Sequence, residues 1–295
     1  MISDVVGRLV GMLAGGLVLA LFYYLQFDRR PPEKVREAGS KWAWKRQAYV
    51  DGRWTEQLSK QLRAQRRVDL LGMILLCVVM FQVPVTMRAY AACLGLVPAL
   101  LATLRGFSLL RGVPLPSGTR VARLRELSLS DYLPPRLRLG MWVAAVVGAA
   151  ATVRVALQHE QPWAIASAAL LLMGPAAVEV AGARLARQPE PAIDAAHLYW
   201  QDALRSDLVR STSGMATTAG MILCLLTPTI VGFDHMGDFV VWYGLGLAIG
   251  LITLKDNVES HERPAAYMRS RLWPTLGPDQ VLRSGDPLPE QRAAA

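Results

Sequence analysis

The chain has 295 residues, 53% of them hydrophobic, and a formal net charge of +9. A soluble domain of this length needs more polar surface than that composition leaves, so the surplus apolar residues must face lipid. The excess of 32 Lys and Arg over 23 Asp and Glu then concerns membrane topology and anionic headgroups, and gives no support for nucleic-acid binding.

The apolar residues gather into seven blocks of about 16 to 23 residues, near the length that spans a ~30 Å hydrocarbon core. The first runs from Val5 to Phe27. Its amino end is nearly neutral and "DRRPPEK" follows it, the reverse of a signal peptide, so residues 1–27 read as a retained anchor. Gly7, Gly11 and Gly15 recur every four residues there, a flat face for another helix of this chain or of a second copy.

Residues 28–67 form a basic segment with interfacial aromatics. Within "KWAWKRQAYVDGRWTEQ", Asp51-Gly52 between Tyr49-Val50 and Arg53-Trp54 suits a short hairpin. The alternative is a surface helix that lodges Trp42, Trp44 and Trp54 at the headgroups. The second is preferred, because an isolated hairpin is marginal in water.

Residues 68–254 hold the other six blocks as three hairpins: Val68 to Met87 with Ala89 to Leu104, Leu139 to Leu157 with Trp163 to Ala183, and Met215 to Gly232 with Phe239 to Leu254. A basic, partly amphipathic stretch precedes each hairpin. In "RVARLRELSLSD", Val121, Leu124 and Leu127 share a face while Arg120, Arg123 and Glu126 point elsewhere, the pattern of a helix lying on a membrane. Asp131 is placed to cap a new helix, Tyr132 suits the headgroup layer, and Pro134-Pro135 forces a turn before the span. The threefold recurrence reads either as a degenerate repeat or as the shared need for arginines before an outgoing span.

Orientation follows from the basic residues, which resist translocation. Segments 28–67, 105–138, 184–214 and 255–295 hold 12, 7, 4 and 6 of them, and only Arg8, Arg88 and Arg154 fall elsewhere. Seven spans put those four segments on one side, with the amino terminus outside and the carboxyl terminus cytoplasmic. The tail 255–295 turns rich in Pro, Gly and charge, and disorder is expected after about residue 276.

Signatures of catalysis are missing. The sequence has no phosphate loop ending in Gly-Lys-Ser/Thr, no Gly-x-Ser-x-Gly, no His-Glu-x-x-His and no clustered CxxC. Cys77, Cys93 and Cys224 lie in apolar blocks and read as packing residues. No catalytic residue and no cofactor is assigned. Pro84, Pro98, Pro175 and Pro228 fall within spans; transporters use such breaks to build binding sites, but proline is common in membrane helices and a structural role is the preferred reading. Gln82, Thr227 and Thr229 are polar span residues that a midplane cavity would use. Glu179 is placed to pair with Arg184 or to face a cavity, and Arg154 to reach the headgroups. On the outer loops, His159, Glu160, Asp234, His235 and Asp238 would suit a divalent metal or proton sensing if the tips met. Ordinary polar loop tips are the preferred reading of those five.

The order "RxxxLSLSDYLPP", a hairpin, then "RQPEPAIDAAHLYWQDALRS" before another hairpin resembles a group of multi-pass integral membrane proteins of high-GC actinobacteria without an assigned activity, often encoded beside GntR-type regulators or ABC-transporter components. The resemblance covers about residues 115–255 and brings no catalytic residues. It implies a membrane component associated with transport or envelope stress. The expectation is an all-α polytopic protein of the cytoplasmic (inner) membrane, not an enzyme, acting as an accessory or regulatory subunit. Its partners would be anionic lipid headgroups and a membrane or cytoplasmic protein, or a second copy. A small-solute or ion transporter is the alternative, and an intramembrane enzyme the third reading.

Overall fold

A computed structural model of the chain describes residues 32–49, 70, 100, 102–106, 127–159, 162–188, 192, 194–231, 241, 244–251, 253, 263–277 and 280–283. Every regular element among them is a helix: α1 (Pro32–Lys45), α2 (Leu129–Tyr132), α3 (Pro135–His159), α4 (Pro162–Arg187), α5 (Ala195–Val231) and α6 (Ala266–Leu272), with helical turns at 102–106 and 244–251. Two of them carry stretches long and apolar enough to cross a membrane, Pro135–Arg154 in α3 and Ile165–Arg187 in α4.

Proline sets two of these starts. Leu133 and Pro134 leave helical geometry, and α3 begins at Pro135, where the missing N–H costs nothing because no partner exists for it in the first turn. The same logic starts α4 at Pro162. Pro175 lies inside α4 without ending it. Asp131 caps, but in the preceding turn: Ser128 is the N-cap of α2, and Asp131 Oδ2 accepts from the Ser128 backbone N–H at 2.8 Å and its hydroxyl at 2.9 Å, a reciprocal capping box.

α3 is the central helix. It lies between α4, α5 and the 244–253 stretch, and its contact with α5 is built from small residues. A Cβ added at Gly220 would stand 2.2 Å from the Ala144 carbonyl oxygen, and one at Gly148 would stand 3.0 Å from Gly220 Cα. The backbones of α3 and α5 therefore touch, a closeness that only residues without bulk permit. Gly140 likewise faces the Thr253 methyl. Thr152, Thr217 and Thr253 return their hydroxyls to carbonyls one turn back, at 2.6 to 3.0 Å, so polar side chains inside the bundle are satisfied within their own helix.

On the outside the helices are apolar. Leu139, Val146, Val153 and Leu157 of α3 are exposed, and so are Ile165, Leu172, Met173 and Val180 of α4. Eighteen residues separate Leu139 from Leu157, about 27 Å along a helix. That is the length of a hydrocarbon core rather than of a local patch.

Two expectations differ from what is found. The basic stretch before the sixth block is not a separate surface helix: α5 continues through it for 37 residues, since no proline or glycine pair interrupts 195–212. The two described approaches to hairpins are thus built differently, one broken at Leu133-Pro134 and one continuous. Tyr132 is 1% exposed and Trp42 is 9% exposed, both packed against protein and not open to headgroups, while Trp44 remains exposed. Of the tail after about 276, only residues 277 and 280–283 are described, and there Leu282 is buried beside Trp273 and Leu276. Trp273, Leu276 and Leu282 share one buried surface, while Val281 is exposed.

Candidate functional site

The largest buried cluster lies at the basic end of the helices, around the first half of α5. Residues 195–212 bury side chains on all faces, polar ones included: His197, Gln201, Asp202, Arg205 and Ser206 are each at most 3% exposed. A polar group without water must find a protein partner, and three separate segments of the chain supply them.

Asp202 is the centre. Its Oδ1 accepts from the Tyr132 hydroxyl at 3.0 Å and its Oδ2 from Trp273 Nε1 at 2.8 Å. One buried carboxylate thereby joins α2 and the tail to α5. Five residues on, Asp207 accepts from Trp42 Nε1 at 3.1 Å and from the Arg46 guanidinium, which joins α1. Arg46 also lies 4.5 Å over the Trp42 ring, a cation–π contact. Ring edges fill the remaining space, Trp42 on Trp200 at 5.8 Å and Tyr199 on Trp273 at 5.5 Å.

Arg269 of α6 closes the tail. Its guanidinium donates to the Gly277 and Gln280 carbonyls and to Gln47 Oε1. Gln47 is a left-handed residue, φ 53°. It ends α1 in a Schellman turn, with Ala48 N–H returning to Ala43 O at 2.9 Å and Gln47 N–H to Trp44 O at 3.0 Å, a place where glycine is usual. The Arg269 bond explains why a long amide side chain stands there instead. Tyr199 donates to Arg46 O at 2.8 Å. Burial pushes its phenol above the ordinary value, opposed by the positive charge of Arg269. Outside the cluster, Arg210 reaches the Pro264 carbonyl at 2.8 Å and Tyr267 the Ser130 carbonyl at 2.7 Å.

A second polar arrangement spans α3 and α4. Glu179 is held by Arg138 at 2.5 and 2.6 Å and by Trp142 Nε1 at 3.2 Å. The expected pairing with Arg184 is not found, and helix geometry gives the reason. Residues five apart point to different faces, whereas Arg138 stands opposite on the neighbouring helix. Arg154 is half-buried near the far end of α3. Gly7, Gly11, Gly15, Gln82, Glu160, Asp234, His235 and Asp238 lie outside the described residues, as do Cys77 and Cys93. His159, Thr227 and Thr229 belong to helical backbone, and their side chains lie outside the description. Among the described residues no three His, Cys, Asp or Glu side chains gather to hold a metal ion.

Sequence reasoning missed the Asp202 and Asp207 cluster. A signal existed: "WQDALRSDLVR" repeats acid-x-x-base twice, Asp202 to Arg205 and Asp207 to Arg210, beside Tyr199 and Trp200. Charge alternating on a helix that also carries buried-type aromatics points to internal partners.

Chemically, the cluster fastens. Its carboxylates are occupied by donors, Asp202 shielded from solvent and Asp207 partly so, and Arg269 ties the tail to Gln47 after α1, so α1, α2 and the tail form one collar on α5. Comparison with protein-family models finds no match to this chain, and neither do comparisons with curated proteins and with solved structures.

Proposed function

We propose that the chain is a multi-pass protein of the cytoplasmic membrane with seven spans, its amino terminus outside and its carboxyl terminus cytoplasmic, serving as a non-enzymatic accessory or regulatory subunit in transport or envelope stress. The observation that carries this reading is the junction of two kinds of structure where α3 and α4 pack against α5. Helices with exposed apolar faces of membrane length run into a collar fixed by Asp202, Asp207 and Arg269. A collar of that kind presents a fixed basic surface to anionic headgroups or to a protein partner, and it needs no cavity. The resemblance over residues 115–255 agrees with it. The transporter alternative called on Glu179, which Arg138 and Trp142 already engage.

Fusions test the threading. A reporter active only outside the membrane is expected to work at the amino terminus and near His159 and His235, and to fail at Gly118 and the carboxyl terminus. An outside signal from Gly118 refutes the seven-span arrangement. For the role, cross-linking in native membranes is expected to give a defined larger complex. Purified protein that drives solute flux by itself in proteoliposomes would overturn the accessory reading in favour of a transporter.

A further inference from the structure

We propose that the basic end of α4 is a binding site for one anionic phospholipid. The inference rests on the membrane reading above and names the ligand class of one surface. Ile165, Leu172, Met173 and Val180 are exposed, and at 100° per residue they lie within about a quarter turn of one another. Arg184 and Arg187 continue the same face toward the end of the helix and are exposed too. Between the apolar run and the arginines lies a shallow groove of about 490 Å³, lined by Val180, Ala183, Arg184, Arg187 and Gln188.

Arg184 and Arg187 have no hydrogen-bond or ion-pair partner among the described residues. Glu179, five residues before Arg184, is taken by Arg138 across the helix pair, and Glu190 lies outside the described residues. Two exposed cations with no counterion among the described residues, at the end of an apolar stripe, fit a molecule that is apolar along its length and negative at one end. From Met173 to Arg187 is fourteen residues, about 21 Å along the helix, enough for an acyl chain against the stripe and a phosphate at the arginines. A guanidinium fork matches phosphate oxygens in pairs. The charge complementarity commits the surface to an anionic lipid over a zwitterionic one.

The full chain in neutral detergent, titrated with phosphatidylglycerol, is expected to show a rising melting temperature. Phosphatidylcholine and free glycerol phosphate are expected to leave it unmoved. R184Q with R187Q is expected to weaken the apparent affinity about thirtyfold, about fivefold for each arginine, with the lipid-free melting temperature unchanged. R184K with R187K, which keeps the charge but loses the planar fork, should respond between the parent and R184Q/R187Q, and R263Q with K45Q, which removes the same charge elsewhere, should retain it all. Equal responses to both lipids, or an R184Q/R187Q protein that responds like the parent, overturn the site. A response to glycerol phosphate alone means a headgroup-sized anion and also overturns it. Recovery of the protein from the soluble fraction without detergent would instead refute the membrane reading beneath it.

Discussion

Asp202 accepts two hydrogen bonds from donors that have no water to turn to, and the two donors differ in what they can tolerate. The indole N–H of Trp273 only donates, while the Tyr132 hydroxyl can turn and accept. Asp202→Asn can therefore aim its carbonyl oxygen at Trp273 and its amide at Tyr132, and is expected to cost only about 1 kcal/mol. Asp202→Ala leaves both donors buried and unpaired, at about 1–3 kcal/mol each. Thermal unfolding in detergent should rank parent, D202N and D202A in that order; equal stabilities would mean that Asp202 does not fasten the collar. Single residues were legible where their role was local. The Pro134-Pro135 turn and a capping Asp131 follow from backbone chemistry, although the capped turn is α2 and not α3. Partners at a distance were not legible. Glu179 reads as charged and intramembrane from its neighbours, but Arg138 as its counterion depends on how α3 lies against α4.

At the scale of helices, block lengths and prolines locate α3 and α4 well: the expected spans Leu139 to Leu157 and Trp163 to Ala183 lie within Pro135–His159 and Pro162–Arg187. α5 joins into one helix the basic stretch and the apolar block that hydropathy separates. Hydropathy sees where apolar residues begin, at Met215, and cannot see that a polar stretch stays helical when other segments satisfy it. Small residues show the same division. The four-residue glycine spacing of the first block was visible, whereas the observed crossing pairs Ala144 and Gly148 of α3 with Gly220 of α5, and its register is set by both helices together. Gly220→Ala pushes a methyl into the Ala144 carbonyl and is expected to destabilise by about 1–3 kcal/mol, as overpacking does. Gly214→Ala, six residues earlier on the same helix, meets nothing within 4 Å. It is expected to be neutral or to stabilise by about 0.5–1 kcal/mol through helix propensity. Melting temperatures of the two variants that move together would contradict the close crossing.

For the whole molecule, the sequence separates a membrane part from basic connections but conceals that those connections form one buried unit. Composition hides it most after Leu272, where Pro, Gly and charge outnumber apolar residues and, among the described residues, Trp273, Leu276 and Leu282 are buried. Three apolar side chains are too few for a periodicity, yet each occupies a place prepared by α1, α2 and α5. A chain ending at Leu272 loses all three, removes one of the two donors to Asp202, and frees the Arg269 guanidinium from the Gly277 and Gln280 carbonyls. Removal of the indole alone is worth about 3–5 kcal/mol, and a buried cation left short of acceptors adds to it. The melting temperature in detergent is therefore expected to fall by on the order of 10–20 °C. Trp273→Phe, which keeps an aromatic ring but removes the Nε1 donor, is expected to fall by less than half as much. Because Arg269 also holds Gln47, the truncated chain should become sensitive to protease between α1 and residue 49 while its membrane helices stay protected. A truncated protein that melts with the full chain, and resists protease there, would show that the tail lies on the collar without fastening it.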